Sequence, residues 1–453
     1  MQQRGRARAR ATATLSTVMA LLLAATVASA QAPPPAPRFE WMVELKADWR
    51  DSEDFRFPSP FLFGPGDIPV GEEAVFLRTV EPGSHAEINV VSFTLKARLA
   101  SQLHFGLDVD LVDLHERNPT SDDNEIDIDE IWLLLGREPL ERGPLETSAF
   151  AKVGKFAKFD RQDERALESY GLMSTVFNRL EDFGLEVGAS FGQHVYAIAS
   201  FTQGNPVFLR DPNALAGDNG TPRSLESPSN PEVWSGVPVL YDAEIELDDL
   251  DFSEPELGFG LGLRWASELR PVYVDLLAWR FERKLQDTVE LEGTRYGGDL
   301  DLLRGPLNMF PLPIDGDDKE EVGVNLRLGA GGFEAFAQVV DSELAGMDRT
   351  GYEVEAAWTF ELPLVASAGG KQLFPRVAPA VRYSELDPDI VGGSSLYPSP
   401  SVRWEWEKLD YGIRLGIWDG LDLTAERSEN RFIAGGIERE MAETMVTVRW
   451  RWR

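Results

Sequence analysis

The feature of this sequence that most constrains its fold is a strict alternation of apolar and polar residues in segments of about ten residues. In the segment 91–99, every odd position is apolar and every even position is polar. Successive side chains of a β-strand point to opposite sides, so such a segment is predicted to be a strand with one apolar and one polar face. The same period recurs at 103–111, 257–265, 322–329, 352–360 and 402–407.

From Phe39 onward we count about sixteen principal strands, each close to the roughly 9–11 residues that a tilted membrane-spanning strand needs. A closed sheet of this size with polar inner faces encloses water. The sequence therefore predicts an all-β fold, a transmembrane antiparallel β-barrel, with a secreted β-sandwich as the alternative. The strands are predicted to begin near residues 39, 87, 102, 125, 147, 181, 193, 256, 271, 320, 332, 350, 374, 408, 420 and 441.

The connections between these segments alternate between tight and long. Long connections rich in Pro, Gly, Asp and Asn occupy 203–255, 284–319 and 385–400. Outer-membrane barrels have short periplasmic turns and long extracellular loops, and we expect both here. Tight links are predicted near Ala100–Gln102, Gly192–Gln193, Gly331–Gly332 and Asp419–Gly420.

The first tight link also predicts a register. A turn at Ser101 places Arg98 opposite His104 and Thr94 opposite Asp108 on the polar face.

The first thirty residues have the three-part layout of a secretory signal peptide. Arg4, Arg6, Arg8 and Arg10 precede an apolar run, which ends at the small residues 28–30. That run is shorter than the roughly 20 residues of a spanning helix, which disfavours a membrane anchor. We therefore predict a signal peptide at 1–30, a Pro-rich leader at 31–38 and a barrel at 39–453, located in the outer membrane of a Gram-negative bacterium.

Composition excludes several classes of protein. The chain has 44 Lys+Arg against 76 Asp+Glu, so its formal charge of −32 repels nucleic acid. Loss of the signal peptide, with four Arg and no acid, takes this charge to −36. No Cys is present, and the four His stand in no hydrolase, zincin or P-loop motif. The sequence predicts neither an enzyme nor a bound cofactor or metal.

The polar faces supply candidates for the wall of the lumen, and the run 122–130 is the most acidic of them. Its alternating Ile and Asp favour a strand with inward carboxylates over a calcium loop, whose Gly and terminal Glu are missing. The predicted wall residues are Lys96, Arg98, Asp108, Asp110, Glu125, Asp127, Asp129, Arg264, Arg327, Arg414 and Arg449.

The segment 155–182 breaks the period of two and is a long connection between strands. It folds into the barrel and narrows it, or it stays outside with a short helix; the sequence supports both.

The strand end Gly154-Lys155-Phe156, with this loop and the strand 184–188, resembles the phosphate-selective porin O/P family. The resemblance implies a sixteen-stranded, homotrimeric outer-membrane porin whose loop constricts the channel and whose basic residues attract anions there. The candidates it implies for selectivity are Lys155, Lys158, Arg161, Arg165 and Arg179. The acidic charge of the mature chain favours cations instead, so the sign of selectivity stays open.

The function predicted from the sequence is a porin that gives passive diffusion of small polar or charged solutes through a water-filled barrel. Its partners would be outer-membrane lipid, lipopolysaccharide and the solutes themselves. The alternatives are a plugged or structural barrel that binds a ligand or partner through its long loops, and an exporter of an anionic polysaccharide.

Overall fold

The computed structural model describes a closed antiparallel β-barrel. The described residues are 38–53, 55–58, 76–80, 83–113, 126–138, 144–162, 164–177, 181–204, 250, 252–267, 272–285, 316–364, 366–389, 404–434 and 437–453. The predicted signal peptide, the leader up to residue 37, Glu125 and Arg179 lie outside them.

Sixteen strands form the barrel, as the alternation predicted. The first eight are β1 (Arg38–Ser52), β2 (Gly83–Ala100), β3 (Leu103–Asp113), β4 (Asp127–Gly136), β5 (Ser148–Ala157), β6 (Glu181–Phe191), β7 (Val195–Thr202) and β8 (Glu256–Ala266). The others are β9 (Val272–Lys284), β10 (Asp318–Ala330), β11 (Phe333–Leu344), β12 (Met347–Trp358), β13 (Arg376–Asp389), β14 (Trp404–Trp418), β15 (Leu421–Ala434) and β16 (Ile437–Trp452).

Each strand pairs antiparallel with the next along the chain, and β16 pairs with β1. The closing seam runs from Val43 opposite Trp452 to Ser52 opposite Glu443. Closure lets the backbone N–H and C=O groups at strand edges find hydrogen-bond partners within the sheet. A strand that crosses lipid requires this, because no water is available there.

Smaller elements accompany the ring. Phe360–Glu361 extends β12 along β13, and two short hairpins pair Phe55–Pro58 with Phe76–Val80 and Ala366–Ala368 with Lys371–Leu373. Helix α1 (Leu172–Val176) is the only helix among the described residues. None of the described helices is long and apolar enough to cross a membrane.

The connections alternate as predicted, with tight turns at 101–102, 192–194, 331–332 and 419–420 at one end of the barrel. We call this the short-turn end, which is periplasmic in outer-membrane barrels, and the opposite end the long-loop end. The segments 203–255, 285–317 and 390–403 join strands at the long-loop end.

Four connections depart from the alternation, and one of them, between β4 and β5, spans the eleven residues 137–147 at the short-turn end. Ala345–Gly346 is a tight turn at the long-loop end, and 359–375 is a longer connection at the short-turn end. A second tight link, 435–436, also lies at the long-loop end.

Burial is inverted relative to a soluble protein. The outward side chains of β8 are apolar and exposed, with Phe259 at 54% and Leu261 at 60%. The inward side chains of β13 and β14 are charged and buried, with Arg382 and Asp410 at 0%. Apolar residues outside and polar residues inside are the arrangement of a transmembrane barrel, which excludes the β-sandwich.

Exposed aromatic side chains collect at the short-turn end of the outer surface. Trp41 and Trp452 meet edge to face with ring centroids 5.4 Å apart, and Trp358 stacks on Phe360 at 5.5 Å. Such rings lie where a bilayer meets water, because they combine an apolar body with a polar edge.

The predicted register of the first hairpin is confirmed. Thr94 lies opposite Asp108 and Arg98 opposite His104, and the Thr94 hydroxyl donates to Asp108 over 3.1 Å.

The acidic strand β4 holds an irregularity that the alternation did not show. Asp108 faces Glu130 and Asp110 faces Asp127, so three steps along β4 match two along β3. This bulge changes the parity of the strand on the Asp127 side of Glu130. In the regular part of the strand, the indole N–H of Trp132 donates to the Glu130 carboxylate over 2.9 Å.

Candidate functional site in the barrel lumen

The inner loop, described at 158–162 and 164–177, leaves the long-loop end of β5 and lies inside the barrel. The backbone carbonyl of Asp160 accepts hydrogen bonds from Asn325 Nδ2 at 2.6 Å and from Gln338 Nε2 at 3.1 Å. The carbonyl of Arg161 accepts one from Arg327 Nη2 at 2.7 Å. Side chains of β10 and β11 therefore satisfy the backbone of a segment that has no strand partner.

The inner loop next contacts β12. Gln162 Nε2 and the backbone N–H of Ala166 both donate to Glu355 Oε1, at 3.0 and 2.8 Å. This carboxylate also lies 3.3 Å from Arg382 Nη1, so an ion pair on the wall holds the loop.

At the tip of the loop, the Glu168 carboxylate accepts hydrogen bonds from Arg414 Nη2 at 2.8 Å and from Arg449. The Nζ atom of Lys46 lies 3.9 Å from Glu168 Oε2. Burial alone would raise the pKa of Glu168, but Arg449, Lys46, Arg414 and Arg165 outweigh it and hold this pKa at about 2. The Glu168 side chain is therefore an anion at neutral pH.

A second carboxylate holds the backbone of the same tip. Glu426 accepts the N–H groups of Glu168 and Ser169 at 2.8 and 2.7 Å. Arg382 Nη2 donates to the carbonyl and hydroxyl of Ser169 at 2.8 and 2.7 Å, and Lys408 donates to the carbonyl of Tyr170. The tip therefore has polar contacts with four strands, β13 to β16, and lies close to β1.

Helix α1 packs its apolar side chains against the inner wall. Leu172, Met173 and Val176 are at most 1% exposed. The wall makes room with Gly351, because a Cβ atom there would lie 2.4 Å from Met173 Cε. At the start of the loop, the rings of Phe159 and Phe281 lie 5.0 Å apart. This side of the lumen is filled.

Of the five basic residues proposed for selectivity, two are buried and paired with acids. Lys158 forms an ion pair with Glu256, and its Nζ lies 3.9 Å from Asp182. Burial would lower the pKa of Lys158, but Glu256 and its acidic neighbours raise it above the usual value. Lys155 is 2% exposed and lies 3.9 Å from Asp127.

Two further members of the set lie closer to solvent. Arg161 pairs with Glu181, and its side chain remains 32% exposed. Arg165 stacks its guanidinium on the ring of Tyr170 at 3.5 Å and lines the cavity below the loop.

The predicted wall residues fall into two groups. Lys96, Arg98, Asp108, Asp110, Asp127 and Asp129 lie on β2, β3 and β4, where Lys96 is exposed and the others are half-buried. Arg264, Arg327, Arg414 and Arg449 lie on β8, β10, β14 and β16 and are engaged by partners: Arg264 by Asp275, Arg327 by the Arg161 carbonyl, and the last two by Glu168.

The sequence reasoning did not single out Glu168, Glu256 or Lys319. Glu256 forms ion pairs with both Lys158 and Lys319. The alternation in the sequence does not identify these residues. Glu168 is in a loop, and Glu256 and Lys319 are at strand ends, where the pattern does not fix which side chains point inward. Within the described ranges, no group of three His, Asp or Glu side chains is placed to hold a metal ion.

Below the inner loop, at the short-turn end, lies a cavity of about 850 Å³. Its lining is charged with both signs, and apolar side chains are few. The cationic lining residues are Lys46, Arg165, Arg264, Arg327, Lys371, Arg376, Arg414, Arg449, Arg451 and Arg453; the acidic ones are Glu44, Glu164, Asp275, Glu334, Glu355, Asp419 and Asp422.

Solved structures of outer-membrane proteins are similar to this chain in fold. No family model matches the chain, and no curated protein matches its sequence. Among solved structures, the outer membrane channel DcaP of Acinetobacter baumannii shares 8% identity at a TM-score of 0.50, over 92% of this chain and 98% of that one. OprB of Pseudomonas putida shares 10% identity at 0.49, over 91% and 94%. OmpT of Vibrio cholerae, in a trimer form, shares 9% at 0.47, over 92% and 100%.

At such identities the similarity establishes the fold alone. The fold is that of an outer-membrane β-barrel, with sixteen antiparallel strands and short turns at one end.

Proposed function

We propose that this protein is an outer-membrane porin, which passes small polar or charged solutes by passive diffusion. One observation carries the proposal: the inner loop fills only one side of the lumen. Where the loop contacts the wall, polar side chains such as Arg382 and Asp410 are 0% exposed. On β2, the inward Lys96 is exposed and Arg98 is half-buried. Water therefore has access to the polar interior beside β2, β3 and β4.

Selectivity in this proposal is steric and electrostatic, because fixed charges at the narrowest level set the barrier for each ion. Lys155 on β5, with Lys158, Arg161 and Arg165 on the inner loop and Arg179 outside the described residues, remain our candidates. The geometry supports Arg161 and Arg165 more than the buried pair Lys155 and Lys158, whose charges are compensated by acids. The inward carboxylates of β3 and β4 oppose an anion preference.

The outward apolar surface and its aromatic rings support contact with outer-membrane lipid and lipopolysaccharide. A homotrimer stays a prediction of the family resemblance, and the acidic charge of the mature chain argues against carrying over phosphate selectivity.

The test is the single-channel conductance and the reversal potential of the refolded mature protein in a planar bilayer under a KCl gradient. Stable conductance steps are expected, and neutralising Lys155, Lys158 and Arg161 together should shift the reversal potential toward cations. A folded, heat-modifiable barrel that stays silent would overturn the porin and favour a plugged barrel.

A further inference from the structure

Resting on the proposed channel, we infer that Glu168 is a positioning and specificity-determining residue. It latches the inner loop to the wall and masks a cluster of wall cations that would otherwise face the lumen. The latch is the pairing of Glu168 with Lys46, Arg414 and Arg449.

The latch joins the loop to three strands that are far away in sequence. Arg414 is on β14, Arg449 on β16 and Lys46 on β1, and all three converge on one carboxylate. The hydroxyl of Thr424 on β15 lies 3.4 Å from the same carboxylate. Because these strands include the closing seam of the barrel, one side chain ties the loop tip to both ends of the chain.

The contact is reciprocal. While the wall cations bind the Glu168 side chain, the wall carboxylate of Glu426 binds the backbone N–H groups of Glu168 and Ser169. Charge-assisted hydrogen bonds are the strong class, and those at the tip run in both directions between loop and wall. The position of the tip, and with it the free cross-section of the lumen, therefore depends on the two carboxylates.

Glu168 also controls the charge that a solute meets. Without its carboxylate, Lys46 and Arg449 would share Glu44, which lies 3.4 and 3.8 Å from them and also binds Arg451. Arg414 would keep a 3.3 Å contact with the Thr424 hydroxyl. The cationic cluster would then have an excess of positive charge beside the cavity of about 850 Å³. In the wild type, Glu168 compensates part of that charge.

The experiment compares Glu168→Gln with wild type in two assays. In the planar bilayer under a KCl gradient, the variant should shift the reversal potential toward chloride and show noisier conductance steps. In detergent micelles, trypsin should cut the loop after Arg165 at least about tenfold faster, because loss of charged hydrogen bonds raises the population of the opened loop. Heat modifiability on gels confirms that each variant has folded.

Two matched variants separate position from charge. Glu168→Asp keeps the anion and should restore a reversal potential near that of wild type. Glu164→Gln removes the same charge from an exposed position on the same loop and should give the smaller shift. Glu426→Ala removes the acceptor of the backbone N–H groups and keeps the Glu168 side chain, so it should speed proteolysis and move the reversal potential toward chloride less than Glu168→Gln does.

The outcomes distinguish this inference from the porin proposal. A silent wild type would overturn the porin, and the proteolysis assay would still test the latch. Equal cleavage rates in wild type and Glu168→Gln would overturn the latch. A reversal potential that moves no further than in Glu164→Gln would overturn the masking of the wall cations.

Discussion

The two sides of the lumen use the same residue types for opposite purposes. On the filled side, from β8 to β16, Arg382 pairs with Asp410 and Glu355 and also binds the loop. On the open side, from β2 to β4, Lys96 is exposed and Asp108 is half-buried. Both sides have polar inward faces with the same period of two.

The difference shows that the role of an inward charged residue depends on whether the inner loop or water lies next to it. Where the inner loop lies against the wall, charges satisfy the loop backbone and one another, and they act as structure. Where no described part of the inner loop lies, they are at least partly exposed to water, and a solute can sense them. A buried ion pair contributes mainly by being costly to break, whereas an exposed charge contributes little to stability.

Removal of the inner loop should have the largest effect on the lumen. Replacing residues 161–176 by a short Gly-Ser linker should open the filled side and raise the single-channel conductance several-fold, because the lumen loses its only described obstruction. Conductance in a planar bilayer measures it, and replacing the short hairpin 366–373 at the short-turn end is the control. An unchanged conductance would show that the narrowest level lies elsewhere.

The free energy of unfolding should fall more when a charge is removed from the filled side than from the open side. Arg382→Gln leaves Asp410 and Glu355 buried without their shared cation and should destabilise the barrel by about 3–5 kcal/mol. Lys96→Gln, on the open side, should change the free energy of unfolding by less than about 0.5 kcal/mol. Urea unfolding in lipid vesicles, followed by Trp fluorescence, measures both. Equal losses would contradict the division of the wall.

Ion selectivity should change more when acidic residues are replaced on the open side than on the filled side. Asp108→Asn with Asp110→Asn removes both carboxyl groups from the open side of β3 and should move the reversal potential toward anions. Glu353→Gln, at a site 3% exposed that accepts the N–H of Met173, should move it little. The comparison fails if Glu353→Gln has the larger effect.

The smallest expected effect concerns pH. The cations around Glu168 hold its pKa at about 2, below the value of roughly 4.3 for an unfolded chain. The stabilisation from this lowered pKa is present above pH 4.3 and is lost only as the pH falls toward 2. The difference in reversal potential between wild type and Glu168→Gln should therefore persist from pH 7 to pH 4. Its disappearance near pH 5 would contradict the ionised latch.

The number and positions of the strands could be predicted from the sequence because they depend on local alternation. The first hairpin even had the predicted register, with Thr94 opposite Asp108. The bulge in β4 escaped prediction, because one extra residue reverses parity without any change in residue type. The sequence left two positions open for the loop, inside the barrel or outside with a short helix. It could not choose between them, since the contacts that hold the loop are with strands far away in the chain.

The residue pattern specifies a long series of amphipathic strands with alternating connections. Alternation alone does not say which face points inward, because a period of two is identical for a sandwich and a barrel; only the number of strands favoured the barrel. Closure of β16 on β1 decided that, by placing the charged faces around one axis. The tertiary structure alone also decided which charges are neutralised, because Coulomb energy depends on distance in space. Glu168 and Arg449 are 281 residues apart in the chain and form an ion pair in the barrel.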